Sequence, residues 1–286
     1  MDYIQKYIEW KATYAPRAAV NYRVPLTRFK EFIRKDFPRA TIDDVVRFQN
    51  LMQDRYSASR AAYSVIVLKN FFKFWEHNGK RMIDPYLLRV PRMEHHSHAA
   101  VSPEEFKRME ATISVDDFYG IEKLLILRLL WETGMRVSEL SDLNLSNVDS
   151  EKRKAFIPTK KTKRPRWIMW SEKTHWLMCR YLGVRICLNQ QPALFIAGDR
   201  GGRRDRISVR TIQRWVKEIA ADANIVKKVS PHSFRHAKAH RILDLGGNPK
   251  HISAILGHSE NNPMAAFSYL RLNETEFEKI AEQFLV

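Results

Sequence analysis

The stretch "DPYLLRVPRMEHHSHAAVSPEEF", residues 84–106, constrains the fold more than any other part of the chain. Pro85 and Pro91 interrupt any helix, and no apolar period runs through the segment until Ser102. Regular amphipathic patterns lie on both sides. The chain therefore reads as two domains: a helical one over 1–90, a linker over 91–101 and a second domain over 102–286. "SPEE" supplies the restart, with Ser102 as N-cap, Pro103 at the first helical position and Glu105 three residues after the cap. His95, His96 and His98 sit in the linker without flanking cysteines, so we expect no metal there.

Before the break, the pattern is that of a helical bundle. In "NYRVPLTRFKEFIRKDF" the residues Tyr22, Leu26, Phe29 and Ile33 step by four, three and four, which puts them on one helix face. Arg23, Arg28, Lys30, Arg34 and Lys35 fall largely on the other faces. A second helix runs through "YSVIVLKNFFKFWEHNGK" and is expected to stop at Asn78-Gly79.

After the break the pattern is again mostly helical, with one β signal. "KAFIP" and "RWIMW" are short β-prone segments joined by "TKKTKRPR", which predicts a hairpin with a very basic tip. "SVRTIQRWVKEIAADANI" reads as a helix capped by Ser208 and preceded by the basic loop "GDRGGRRDR". A basic glycine-containing loop leading into a basic helix suits a phosphate backbone. The expected fold is mainly α, with a small antiparallel sheet in the second domain.

Charge narrows the partner. Among 286 residues the formal net charge is +17, while 44% hydrophobic residues leave enough apolar surface for a folded core. Nucleic acid is the usual partner of such an excess. An anionic membrane surface would call for a basic amphipathic helix or a lipidation signal, and neither is found. The amino terminus lacks a signal-peptide pattern, and "LLILRLLW" is too short to span a bilayer. Cys179 and Cys187 have no metal-binding spacing and read as reduced thiols. We expect a cytoplasmic, nucleoid-associated protein.

Four pieces after residue 130 carry chemistry. "ETGMRVSEL" ends a buried helix at Gly134 and starts another at Arg136, with Glu139 placed to orient the guanidinium. The hairpin tip supplies Lys160, Lys161, Lys163 and Arg164. "PHSFRHAKAH" places His232 and Arg235 on one helical turn, and His232, His236 and His240 along one stripe. "ILGHSENNPMAAFSYLRL" holds His258 and Tyr269. Metal-free cleavage of a phosphodiester needs a nucleophile, cations at the non-bridging oxygens and a proton donor for the leaving alkoxide. No paired acidic cluster of the two-metal type and no GxxxxGK loop is present, so neither metal nor ATP is expected.

With these residues in order, the chain resembles the tyrosine recombinase (phage integrase) family, and within it the Xer-like members. "APRAAVNYRVPLTRFKEFI" resembles the opening helix of the family's SAM-like core-binding domain, and "TGMRVSEL", "PHSFRH" and "LGHS" resemble its catalytic motifs. The resemblance implies that Arg136 and Arg235 grip the scissile phosphate while His232 and His258 bond to it, with Glu139 and His236 in support. Matching "KKTKRPRWIMW" to the family's Lys-x-x-Lys-x-Arg pattern picks Lys161 as general acid, with Lys160 and Lys163 beside it.

Tyr269 would be the nucleophile, giving a 3′-phosphotyrosyl intermediate that conserves the bond energy, so no cofactor is implied. Here the chain departs from many family members, in which the tyrosine follows the histidine by nine residues; that offset holds Phe267, and no other tyrosine follows His258. Lys160, Lys163, Arg164, Arg203, Arg204, Arg210 and Arg214 are the expected DNA contacts. The terminal stretch carries Phe277, Ile280, Ala281 and Phe284 at helical spacing, a face to bury in its own domain or on a neighbour. The resemblance further implies a synaptic homotetramer, a Holliday junction and accessory DNA-bending proteins. Two rival functions share many of these features: a type IB-like topoisomerase, and a DNA-binding regulator with a decayed site.

Overall fold

Phe29 and Leu26 are fully buried, and around them Tyr22 and Ile33 pack at the edge of one core, so the four-three-four stripe is the inner face of a helix. The computed structural model describes residues 2–91, 99–158, 165–188, 191–197 and 205–257. It divides into two compact units, Met1–His96 and Ser97–Val286.

The first unit is built from α1 (Tyr3–Tyr14), α2 (Pro16–Ile33), α3 (Ile42–Arg55) and α4 (Ala58–His77). Pro16 opens α2, where a missing N–H costs nothing. Thr41 and Asp44 cap α3 reciprocally, and Asp44 is further held by Lys35 at 2.6 Å and Arg47 at 2.7 Å. Asn78 caps α4 and Gly79 follows at φ 70°, a left-handed turn that ends the helix where the sequence pattern predicts. Tyr7, Phe37, Phe48, Phe71 and Phe72 fill the interior through edge-on and tilted ring contacts.

The second unit begins with α5 (Pro103–Ala111), whose Ser102–Glu105 capping box forms as expected: Glu105 Oε2 accepts from the Ser102 amide at 2.7 Å. Next come α6 (Phe118–Thr133) and the short α7 (Val137–Asp142). The strands β1 (Val148–Asp149), β2 (Lys154–Ile157) and β3 (Arg166–Met169) form one antiparallel sheet in chain order. It is followed by α8 (Glu172–Leu188), α9 (Val209–Asp222), α10 (Pro231–Asp244) and α11 (Pro249–Leu256). The fold is mainly α with a small sheet, as expected.

Helix α6 is apolar on nearly every side, with Leu125, Leu127, Leu129 and Leu130 buried, because α5, α8, α9, α10 and β3 all pack against it. Burial of each such leucine is worth about 2 kcal/mol. The β2–β3 pairing sets Ala155 against Ile168 and Ile157 against Arg166. Pleat alternation turns Ala155, Ile157 and Ile168 into the core, and Trp167 and Met169 outward. Arg166 takes an inward position on the same face. The hairpin is therefore present, while its tip, with Lys160, Lys161, Lys163 and Arg164, lies outside the described residues. Ser208 caps α9 by accepting from the Thr211 amide at 3.0 Å, and Cys179 and Cys187 are exposed free thiols on α8.

Candidate active site

Gly134 closes α6 in the left-handed region at φ 61°. A Cβ there would lie 2.7 Å from Leu256 Cδ2 and 2.9 Å from Lys238 Cβ, so only glycine lets this turn approach α10 and α11 so closely. The turn delivers Arg136 to the start of α7. Glu139, one helical turn on, accepts from the Arg136 amide at 2.8 Å and from its Nη1 at 3.0 Å. The side chain of Arg136 stays a quarter exposed.

Arg235 enters from α10 and is 1% exposed. Its Nη1 donates to the Gly134 carbonyl at 2.9 Å and its Nη2 to the Leu256 carbonyl at 2.7 Å. Arg136 Nη1 donates to the next carbonyl, Gly257, at 3.2 Å. Arg166, from β3, takes the preceding one: its Nε lies 3.0 Å from the Ile255 oxygen. Three arginines from three separate elements thus occupy three successive carbonyls at the end of α11, where the helix dipole favours cations.

Glu139 completes the group. Arg166 grips both of its oxygens, Nη1 to Oε1 at 3.1 Å and Nη2 to Oε2 at 2.8 Å. Burial by itself would raise the Glu139 carboxyl, but hydrogen bonds and charge from Arg166, and then Arg136, outweigh it and hold the pKa at about 2. One carboxylate against three guanidiniums leaves a surplus of two positive charges among these four side chains. Such a surplus is suited to an anion.

His232 lies exposed in the first turn of α10, one turn before Arg235, and its ring meets that of half-buried His236 edge-on at 4.9 Å. His240, on the same helix, is half-buried. The structure therefore brings together Arg136, Glu139 and Arg235, with His232 and His236 on the helix that carries Arg235. Lys161, His258 and Tyr269 lie outside the described residues, as do Arg203, Arg204 and the linker histidines. Arg210 and Arg214 are exposed on α9, Arg214 Nε lying 3.6 Å from Glu218, and no described contact joins them to the arginine group. Among the described residues no group of three or more His, Cys, Asp or Glu side chains gathers as a metal site.

Two arginines do work that the sequence pattern hides. Arg166 closes the Lys-x-x-Lys-x-Arg match that begins at Lys161, but that match gives it no role; its inward strand position marks it as a buried partner. Arg206, the last residue of "GDRGGRRDR", turns inward and donates from Nη1 to the carbonyls of Ser141 and Leu143, both at 2.9 Å.

The profile of the phage integrase family matches residues 100–276, well over half of the chain. The chain belongs to the phage integrase family. Its enzyme class is that of the tyrosine-type site-specific recombinases. Tyrosine recombinase XerC of Corynebacterium glutamicum is 30% identical over 217 residues, which cover 76% of this chain and 67% of that protein. Tyrosine recombinase XerD of Neisseria meningitidis is 28% identical over 221 residues, covering 76% and 74%. Among solved structures, XerA recombinase aligns with 100% of this integrase-family chain and 98% of its own at 26% identity and a TM-score of 0.57. XerH site-specific recombinase, bound to a palindromic difH substrate in a post-cleavage complex, aligns over 97% and 83% at a TM-score of 0.76; at 16% identity this is a likeness of fold. Among the described residues of the chain no helix is long and apolar enough to cross a membrane.

Proposed function

We propose that this chain cuts and rejoins duplex DNA at a specific site through a 3′-phosphotyrosyl intermediate on Tyr269. One observation carries the reading: Arg136 and Arg235, far apart in sequence, converge with Glu139 on the turn that immediately precedes His258. A scissile phosphodiester seated on this surplus of positive charge would meet Arg136 at the surface and Arg235 beneath it, and His232 and His258 would add hydrogen bonds to its oxygens. As Tyr269 attacks phosphorus, the bond to the 5′ oxygen breaks, and Lys161 of the hairpin tip donates the proton that the leaving hydroxyl requires. An unperturbed tyrosine ionises near 10, so neighbouring cations lower the cost of its phenolate. Rejoining reverses the step with a 5′ hydroxyl from the partner duplex, and two such rounds pass through a Holliday junction.

Duplex DNA is the partner in this reading, consistent with the +17 net charge, and Lys160, Lys163, Arg164, Arg203, Arg204, Arg210 and Arg214 contact its backbone. A homotetramer forms the synapse, the apolar face at Phe277, Ile280, Ala281 and Phe284 is buried within or between protomers, and DNA-bending proteins assist. The domain boundaries proposed are 1–90 and 102–286, and the site of action is the cytoplasmic nucleoid.

The test is a pool of duplexes carrying random core sequence and a nick placed so that the cleaved strand diffuses away. Wild-type chain should form a covalent adduct on a selectable sequence, with the DNA mapped to Tyr269, and Tyr269→Phe should bind the same sequence without an adduct. DNA binding with no adduct from the wild type would leave a regulator. An adduct that relaxes plasmid without exchanging strands would leave a topoisomerase.

A further inference from the structure

We infer that Arg166 is a positioning residue that sets the Arg136 guanidinium and the base of the lysine hairpin against the same turn. This inference rests on the recombination reading. Arg166 is the first residue of β3 and follows Arg164 of the hairpin tip by two positions in the sequence. Its side chain is 7% exposed and points to the core face, opposite Ile157. A strand of this pattern would ordinarily carry a hydrophobe there.

All three kinds of nitrogen on the guanidinium are engaged. Nη1 and Nη2 hold the two Glu139 oxygens, and Nε holds the Ile255 carbonyl. Glu139 in turn holds Arg136 by both its amide and its Nη1. The contact with α11 is equally close at Gly257, where a Cβ would lie 2.6 Å from Arg166 Nη1 and 3.0 Å from its Cζ. Glycine at 257, at φ 66°, thus leaves the room that the Arg166 fork occupies. One planar side chain ties β3, α7 and the end of α11 together. A lysine offers a single point of charge and cannot hold a carboxylate and a carbonyl in this forked geometry. When Arg166 is replaced, Glu139 keeps Arg136 as its counter-charge at 3.0 Å and is not left buried and unpaired, which favours a role in alignment over one in folding.

The full-length chain is tested as wild type, Arg166→Lys and Arg166→Met on the selected nicked duplex. Each is also tested on the same duplex with a 5′-bridging sulfur at the scissile phosphate, whose thiolate leaves without a proton donor. Folding is followed by urea unfolding and binding by gel shift. We expect both variants to fold and bind the duplex within about threefold of wild type, and to form adduct about 100-fold more slowly, the penalty for misaligned groups of about 1 Å. The sulfur substrate should recover at least tenfold of that loss, the part owed to the hairpin's proton donor, and leave the part owed to Arg136. Variants that cleave at the wild-type rate would overturn the inference, as would unfolding of both or a defect that sulfur leaves untouched. An absent wild-type adduct on either duplex would instead bring down the recombination reading itself.

Discussion

Arg235 donates from Nη1 to the carbonyl of Gly134, 101 residues earlier in the chain, at 2.9 Å. Its other terminal nitrogen reaches Leu256 at 2.7 Å, so one buried fork pins the end of α6 to the end of α11. Arg235→Lys keeps the charge but can serve these two carbonyls only in turn. Leaving one of them buried and unpaired costs about 1–3 kcal/mol. Urea unfolding should show that loss, and adduct formation should fall at least about 100-fold, beyond what the remaining folded fraction accounts for. A variant with full stability and full cleavage would remove Arg235 from the site.

Gly134 is required for a second, steric reason, and the comparison with Gly246 isolates it. Both have positive φ, 61° and 77°, but a Cβ at 246 meets nothing within 4 Å, whereas one at 134 strikes Leu256 and Lys238 inside 3 Å. Gly246→Ala should cost only the left-handed backbone penalty, about 1–2 kcal/mol. Gly134→Ala should cost more, by roughly 1–3 kcal/mol of overpacking, and should displace Arg136. Equal losses in parallel denaturant titrations would refute the close-approach argument.

Glu139 ties stability to acid pH. Its carboxyl sits at about 2 in the folded chain against an ordinary 4.5, so its contribution is complete above pH 4.5 and disappears as pH falls toward 2. Glu139→Gln leaves Arg166 buried without its counter-charge, which costs about 3–5 kcal/mol at neutral pH. Between pH 4.5 and 3 the wild type should lose stability while the variant changes less, so the two unfolding curves converge. Parallel curves would assign the acid sensitivity to other carboxylates.

The sequence and the structure agree most closely where one local rule suffices. The stripe Tyr22, Leu26, Phe29, Ile33 and the Ser102–Glu105 box need only neighbours within one or two helical turns, and both appear as the residue pattern indicates. Arg136, Glu139 and Arg235 were legible as a set through the order of short motifs. What they bind within the fold was not. Backbone carbonyls carry no sequence letter, so the fact that residues 255, 256 and 257 receive three arginines emerges only from the packing of α7, α10 and β3 around one helix end. The Lys-x-x-Lys-x-Arg match reached Arg166 without giving it a role, and the signal that could have found its role is the two-residue strand period, which puts it on the inner face with Ile168. Arg206 was obscured by its basic neighbours in "GDRGGRRDR".

Glu122 provides the opposite pH signature, away from the arginine site. It is fully buried on α6, and its Oε1 accepts from Tyr181 Oη at 2.8 Å and from the Ile196 amide at 2.9 Å, while Oε2 has no hydrogen-bond partner among the described residues. Burial raises its pKa to about 7, against the pull of those two donors and of the Arg185 charge. A raised carboxyl favours the folded chain while protonated, so its contribution is complete below pH 4.5 and is lost as pH climbs through 7. At 1.36 kcal/mol per pH unit, that interval amounts to at most about 3 kcal/mol by pH 8. Glu122→Gln keeps the Oε1 acceptor and removes the ionisation. Its stability should therefore stay level from pH 5 to pH 8 where the wild type declines, and unfolding midpoints measured across that range decide the matter. A wild type whose midpoint does not fall over this interval would mean that the Arg185 charge keeps Glu122 ionised throughout.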